Sequence, residues 1–510
     1  MIVETLLSLN GVGHWLSSCA VFGVVFLTVR SWMGRQSNLP PGPVPVPVLG
    51  SLLQVAGKDK IKLFEEFRAR YGDVFSFYMG SRLVVVVNGY SKLKETFVTN
   101  GNVFSNRPHV FSVDIVGQGK GVVNGSGEVW QEHRKFTFKC LRQFCFGNDS
   151  LEIKIREEVQ SYFDVLDRFE GQDMDPSDHI QTAIANIICS IAFGERFQYN
   201  DPKFKHLLEI FEENMRLVGG MSLLNFFPFI DALPGDMFKM KRILKNIACV
   251  QSFLSNIISH ETATYDRYNE RHFVDAYLKG MAEKKATNKT TTMADDQLLK
   301  LVGDLFVGGT ETTSTTLRWG LIFLVRHQDV QQKVRDEIDA NAGPDVDVND
   351  DADIVMMEDK NSMPFTWATI FEIQRFADIA PLSVAHGLSR DGQIGQFFIP
   401  QDALVIPNIH SVHFDPQIFK NPNKFQPDRF INEQGKVNVP REFIPFSLGP
   451  RECLGKNVAK MELFIFFASM IKRYLILPPE TGELPKMEGV LGVTRTPLPY
   501  KIRFVKRSQS

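Results

Sequence analysis

The sequence predicts a mainly α fold with a small β part, carried behind an N-terminal transmembrane anchor. Long amphipathic stretches fill residues 130 to 340, short β-like runs sit at 74–88 and 397–408, and no alternating strand–helix pattern joins them. With 510 residues, 44% of them hydrophobic, and 42 Phe, the chain can bury a large core. No repeat or long low-complexity segment divides it. The polar run at 284–296 and the acidic run at 343–353 read as surface connections, because similar helical patterns resume after each. The expected organisation is an anchor over 1–30, a basic and proline-rich linker over 31–50, and one functional domain over 51–510.

The elements follow in chain order. Trp15 to Val29 is apolar, and a weaker pattern back to Val3 brings the stretch to the ~20 residues that span a bilayer. Glu4 lies before it, Arg30 and Arg35 follow, and no small-x-small cleavage site comes after Val29, which favours a retained anchor with the domain on the cytosolic side. On that orientation the sequons at Asn124, Asn148 and Asn288 stay unglycosylated. LPPGPVPVPVLG (39–50) cannot be helical, since proline fixes φ and lacks an N–H, and reads as a stiff extended strap. IKLFEEFRARYG reads as a helix, VFSFYMGSRLVVVVN as a hairpin about Gly80, and SKLKETFVTN as another helix. An apolar helical pattern runs from Leu298 to about Val325, and GKNVAKMELFIFFASMIKRY is a further helix.

Composition excludes several classes. Lys plus Arg number 57 against 59 Asp plus Glu, a net charge of -2 that offers no footprint for nucleic acid. The six cysteines (Cys19, Cys140, Cys145, Cys189, Cys249 and Cys453) form no CxxC pair and no disulfide framework, so reduced, cytosol-facing thiols are expected and a zinc site is not. No GxGxxG fingerprint marks a nicotinamide or flavin site.

Four stretches carry chemistry. In FSLGPRECLG (446–455), Cys453 stands just before a helix whose free N–H groups favour a thiolate, Gly449 and Gly455 permit a tight turn and close approach of a flat partner, and Arg451 adds a cation. These features leave Cys453 open between an inert buried cysteine and a reactive or metal-binding thiolate. In DLFVGGTETTSTTL (304–317), two mid-helix glycines cost ~1 kcal/mol each relative to alanine. A helix crossing explains the glycines but not Glu311 in an apolar surround. In FEIQR, Glu372 and Arg375 stand three apart and can pair; in WQEHR, Trp130 and Arg134 lie one helical turn apart.

Together these motifs resemble the cytochrome P450 family of heme-thiolate monooxygenases. FSLGPRECLG matches its Phe-x-x-Gly-x-Arg-x-Cys-x-Gly signature, and GGTET, FEIQR and FQPDRF (425–430) match its oxygen-groove, Glu-x-x-Arg and Pro-x-Arg-Phe segments in order. The likeness runs from the proline strap to GVLGVTRTP (489–497) and looks strongest to the animal microsomal family 2 group. It implies the cytochrome P450 fold and heme b, with Cys453 as axial iron ligand, Phe446 beside it, and Gly449 and Gly455 in the same loop. It further implies that Arg451, Trp130, Arg134, Arg107 (in FSNRP) and His386 (in VAHG) face the heme propionates. Thr312 would steady dioxygen, Glu311 would help relay protons, and Glu372, Arg375 and Arg429 would form a structural charge triad. By analogy the substrate pocket would draw on Phe111 to Val116, Phe306, Gly309, Leu382 to Val384 and Leu491 to Val493, with Phe226, Phe227 and Phe229 as a roof that dips into the bilayer.

The activity so implied inserts one atom of O2 into lipophilic substrates (fatty acids, steroids or xenobiotics) by hydroxylation or epoxidation. Electrons would come from NADPH through a separate NADPH–cytochrome P450 reductase, with cytochrome b5 as a second donor, docking on Lys135, Lys139, Arg142, Lys456 and Lys460. The expected location is the endoplasmic reticulum membrane, catalytic domain toward the cytosol. Pro450 and Glu452 depart from relatives that often carry Lys and an apolar residue there. Two rivals are an isomerase or dehydratase of lipid hydroperoxides, against which the Glu311–Thr312 pair argues, and a non-catalytic heme- or lipid-binding membrane protein.

Overall fold

The computed structural model describes residues 38–146, 151–220, 223–232, 235–341 and 353–507, together with Gly23. Apart from Gly23, the expected anchor lies outside the described residues, as does the Phe229 side chain. Among the described residues no helix is long and apolar enough to cross a membrane. The chain gathers into two compact units, Met1–His109 with Val384–Asn408, and Val110–Ser383 with Ile409–Ser510.

The first unit holds α1 (Lys60–Tyr71) and five strands, β1 (Val74–Met79), β2 (Arg82–Val87), β3 (Gly392–Ile394), β4 (Phe397–Ile399) and β5 (Leu404–Pro407). Asp59 caps α1, its carboxylate accepting from the backbone N–H of Ile61 at 2.9 Å and Lys62 at 3.3 Å. β1 and β2 form an antiparallel hairpin that turns between Met79 and Arg82, with Gly80 at φ +61°. β2 is also paired in parallel with β5 (Val84 to Leu404, Val87 to Pro407), and a strand paired on both edges and covered on both faces reads as an unbroken apolar run. Val84 to Val87 are accordingly buried. The inner part of the proline strap is laid onto β1: Ser76 donates from its N–H to the Pro41 carbonyl (2.8 Å) and from its hydroxyl to that of Pro40 (2.7 Å). A Cβ at Gly42 would overlap the Ser76 carbonyl, so glycine permits the close approach.

The second unit is built of α2 (Gly127–Phe146), α3 (Leu151–Asp167), α4 (Ser177–Ala192), α5 (Pro202–Gly220), α6 (Met240–Ala263), α7 (Phe273–Ala286), α8 (Asp295–Arg326), α9 (Gln328–Asn341), α10 (Pro364–Ala377) and α11 (Lys456–Arg473). Two antiparallel strand pairs complete it, β6 (Tyr474–Leu477) with β9 (Arg503–Lys506) and β7 (Gly489–Leu491) with β8 (Arg495–Pro497). α8 runs for 32 residues, about 48 Å at ~1.5 Å per residue. Asp295 and Asp296 in its first turn and Arg326 in its last match the helix dipole. Every residue from Thr313 to Val325 is buried, whereas Asp304, Gly308 and Thr312, four apart, stay accessible along one face. The polar run at 284–296 is tied down in part, since Glu132 on α2 accepts from Thr291 Oγ1 (2.7 Å) and the Thr292 N–H (2.6 Å).

Candidate active site

The loop from Phe446 to Gly455 folds back on itself. Ser447 (φ +62°) and Gly449 (φ +80°) supply the left-handed turns, and the Cys453 N–H donates to the Phe446 carbonyl at 3.0 Å. Gly455 corrects the expectation drawn from the sequence: its φ is -86° and nothing would meet a Cβ there, so the turn does not require glycine. Its N–H instead donates to the Cys453 thiol, and α11 begins one residue later. The thiol is open to solvent on one side. The protein around the rest pushes its pKa up, against the Gly455 N–H and the nearby Arg134 and Lys456. The helix start and cations therefore do not make a thiolate unaided, whereas a coordinated metal ion deprotonates a thiol outright.

Beside this loop two guanidinium groups meet one indole. Arg451 is buried, donates Nη1 to the Val122 carbonyl (3.1 Å) and Nη2 to that of Gly125 (2.5 Å), and stands 3.9 Å from the centre of the Trp130 ring. Arg134 lies 5.8 Å from the same ring and donates Nη2 to the Glu452 carbonyl at 2.6 Å. Trp130 is 5% exposed, and its buried Nε1–H has no acceptor. Two cations and an orphaned donor next to an accessible thiol fit an anionic prosthetic group with a thiolate-ligated metal. In the first unit, Arg107 donates to the carbonyls of Ala385 (2.9 Å) and Val384 (3.3 Å). His386 Nδ1 bonds the Phe104 carbonyl at 2.6 Å and its ring packs 4.5 Å from Phe97.

On α8, Thr312 donates Oγ1 to the Gly308 carbonyl at 2.7 Å. Glu311 is buried, and its Oε1 accepts from Thr494 Oγ1 (2.9 Å) and Thr315 Oγ1 (3.2 Å). Burial raises its pKa despite these hydroxyls and Arg318. Thr315 could have been found by its i, i+4 spacing from Glu311; nothing local pointed to Thr494. The two glycines divide the work between the two readings of the pair. A Cβ at Gly309 would overlap Ile188 of α4, while Gly308 faces open space. Gly309 thus permits a close crossing of α8 and α4. Phe306 is corrected from pocket wall to core: it is 1% exposed and packs on Phe211 (4.9 Å) and Phe204 (6.5 Å). Six residues at 100° each carry its side chain well away from the face of Thr312. Val493 is 48% exposed and Leu382 half-buried, and in the first unit Val384 is 44% exposed. Phe227 is buried and Phe226 half-buried.

Glu372 and Arg375 on α10 are wholly buried and joined by two 2.8 Å hydrogen bonds, and Arg429 Nε donates to Glu372 at 3.1 Å. Arg375 Nη1 is further held by the His413 carbonyl (2.8 Å). Removing one member of such a buried network strands the others at a cost of ~3–5 kcal/mol. Of the expected basic face, Lys135, Lys139 and Arg142 are exposed on α2, but Lys456 is paired with Glu452 at 2.7 Å and Lys460 is half-buried, 6.0 Å from the Phe446 ring.

The family model described as Cytochrome P450 matches residues 40–504. Rabbit (Oryctolagus cuniculus) cytochrome P450 2B4 is 36% identical over 491 residues, covering 95% of this chain and 97% of its own. Human (Homo sapiens) cytochrome P450 2U1 is 35% identical over 535 residues (98% and 95%), and chicken (Gallus gallus) cytochrome P450 2H1 is 34% identical over 487 residues (94% and 96%). The accessible cysteine in the signature loop, flanked by a cation–indole cluster, stands in a chain that matches this family over most of its length, and the protein belongs to the cytochrome P450 family of monooxygenases.

Proposed function

We propose that residues 51–510 form a membrane-held monooxygenase domain that hydroxylates or epoxidises lipophilic substrates such as fatty acids, steroids or xenobiotics. The observation that carries this is the accessible Cys453 thiol beside Trp130, Arg134 and Arg451. Cys453 would hold the iron of heme b, and Trp130, Arg134 and Arg451 its propionates; Arg107 and His386 take the same role from the family pattern, and Phe446 and Gly449 shape the loop. When bound, the heme supplies dioxygen activation and oxygen insertion. Thr312 keeps its hydroxyl proton on the Gly308 carbonyl (2.7 Å), on the accessible face of α8, where it can turn toward a reacting oxygen. Glu311, with its raised pKa, holds a proton to higher pH than an ordinary carboxylate and would help relay protons to the site. Leu382, Leu491 and Val493 offer apolar surface to the substrate and exclude water. Glu372, Arg375 and Arg429 hold the fold.

Electrons come from NADPH through NADPH–cytochrome P450 reductase, with cytochrome b5 as second donor. Lys135, Lys139 and Arg142, spaced i, i+4, i+7 on α2 with Phe138 50% exposed between them, form the docking stripe. Glu452 weakens the same face by neutralising Lys456. The anchor over residues 1–30 would keep the domain on the cytosolic side of the endoplasmic reticulum. The test is reconstitution with the reductase and NADPH over a panel of lipids, read by O2 consumption and by mass for added oxygen. Oxygenated product dependent on NADPH is expected; no consumption above background across the panel would sink the reading, and turnover of hydroperoxides without NADPH would favour the isomerase. Cys453→Ser should abolish the thiolate signature of the reduced carbon monoxide spectrum.

A further inference from the structure

The glycine-rich loop GVVNG (121–125) lies between α8 and the cysteine loop, and each side of its backbone is taken by a charged group. Asp304 Oδ2 accepts from the N–H of Val122 (2.8 Å) and of Val123 (2.9 Å), and two turns earlier on the same helix face Gln297 Oε1 accepts from Gly121 (3.0 Å). On the other side, the Val122 and Gly125 carbonyls are the acceptors for Arg451. Val122 therefore gives its N–H to a carboxylate on α8 and its C=O to the guanidinium that stacks on Trp130. The loop has no slack: Gly121 sits at φ +73° where a Cβ would overlap the Asp304 carboxylate, and a Cβ at Gly125 would overlap the Gly121 carbonyl.

We infer that Asp304 is a positioning residue: by clamping Val122 and Val123 it fixes the carbonyls that aim Arg451, and so couples α8 to the Arg451–Trp130 group. The inference rests on the proposed role of that group in holding heme. Charge-assisted hydrogen bonds are the strong ones, and here one oxygen serves two N–H groups, so losing it loosens the Val122–Val123 backbone and with it the Val122 carbonyl to which Arg451 donates. The Val123 N–H bound by Asp304 and the Val122 C=O bound by Arg451 belong to one peptide group, whose polarisation strengthens both bonds at once.

The test uses the full-length heme-loaded chain with Asp304→Ala, Asp304→Asn and Gly121→Ala, read by hydrogen exchange at the Val122 and Val123 amides and by heme transfer to excess apomyoglobin. Asp304→Ala removes both charge-assisted bonds and should speed both by at least about tenfold. Asp304→Asn, whose amide oxygen still accepts, should stay within about threefold of wild type, the cost of a neutral acceptor in place of a charged one. Gly121→Ala should follow Asp304→Ala although the carboxylate is intact. Unchanged exchange, or faster exchange without faster heme loss, overturns the inference; if Asp304→Ala does not fold, a Gly121→Ala chain that matches wild type in both readouts does so equally. A wild-type chain that binds no heme overturns the proposed function instead, so the two failures are distinct.

Discussion

Trp130 combines a ring held against Arg451 at 3.9 Å with a buried Nε1–H that has no acceptor. An unmet buried donor costs ~1–3 kcal/mol, which the chain recovers only when an acceptor arrives. Trp130→Phe keeps an aromatic face for the guanidinium and removes the orphan. It should therefore speed heme transfer to apomyoglobin several-fold without lowering the urea midpoint of the heme-free chain. An equal loss in both measurements would make Trp130 a packing residue. At this scale the sequence was readable where partners are neighbours: Trp130 and Arg134 announce each other by spacing. The stacking of Arg451 on the same ring was not, because only the folded chain brings the two together. The direction of the Cys453 pKa was hidden for a related reason, since the helix start is local but the desolvation that outweighs it is not.

Within α8, the adjacent glycines offer a contrast between open space and a tight crossing. Gly308 meets nothing where a Cβ would stand, so Gly308→Ala should stabilise the helix by ~0.5–1 kcal/mol. Gly309→Ala drives a methyl into Ile188 and should destabilise by ~1–3 kcal/mol, with Ile188→Val restoring part of the loss. Urea unfolding of the two single variants and the double variant decides it; a Gly309→Ala chain as stable as Gly308→Ala would rule out the crossing. Apolar periodicity found α8 from Leu298, whereas the helix begins at Asp295, because a first turn made of Asp295 and Asp296 follows dipole chemistry and leaves no apolar stripe. The family analogy did not sort faces either: it put Phe306 in the pocket wall, whereas that side chain is buried and stands at a wide angle from Thr312.

Across the whole molecule, the mainly helical class was legible because it follows from local periodicity, while the pairing of β2 with β5 joins segments that share no local signal. Buried charge divides in the same way. Glu372 is answered by Arg375 and Arg429, partners that the sequence motifs name. Glu462, alone among LFIFF on α11, escaped notice, although a single carboxylate in such a run is the same warning that singled out Glu311. It is wholly buried, with the Thr313 hydroxyl beside it, and burial pushes its pKa up to about 8 from 4.5. The folded chain thus keeps this proton up to about pH 8, while the unfolded chain releases it above 4.5. Unfolding releases a proton throughout that window, so stability falls as pH rises, by at most ~1.4 kcal/mol per unit from this group. Below the window both states are protonated, so stability no longer changes with pH through this group. Glu462→Gln cannot titrate, so from pH 5 to 7.5 the wild type should lose on the order of 2–3 kcal/mol relative to the variant in urea unfolding. Parallel pH profiles for the two chains would show that Glu462 finds a charged-state partner on folding and does not hold its proton.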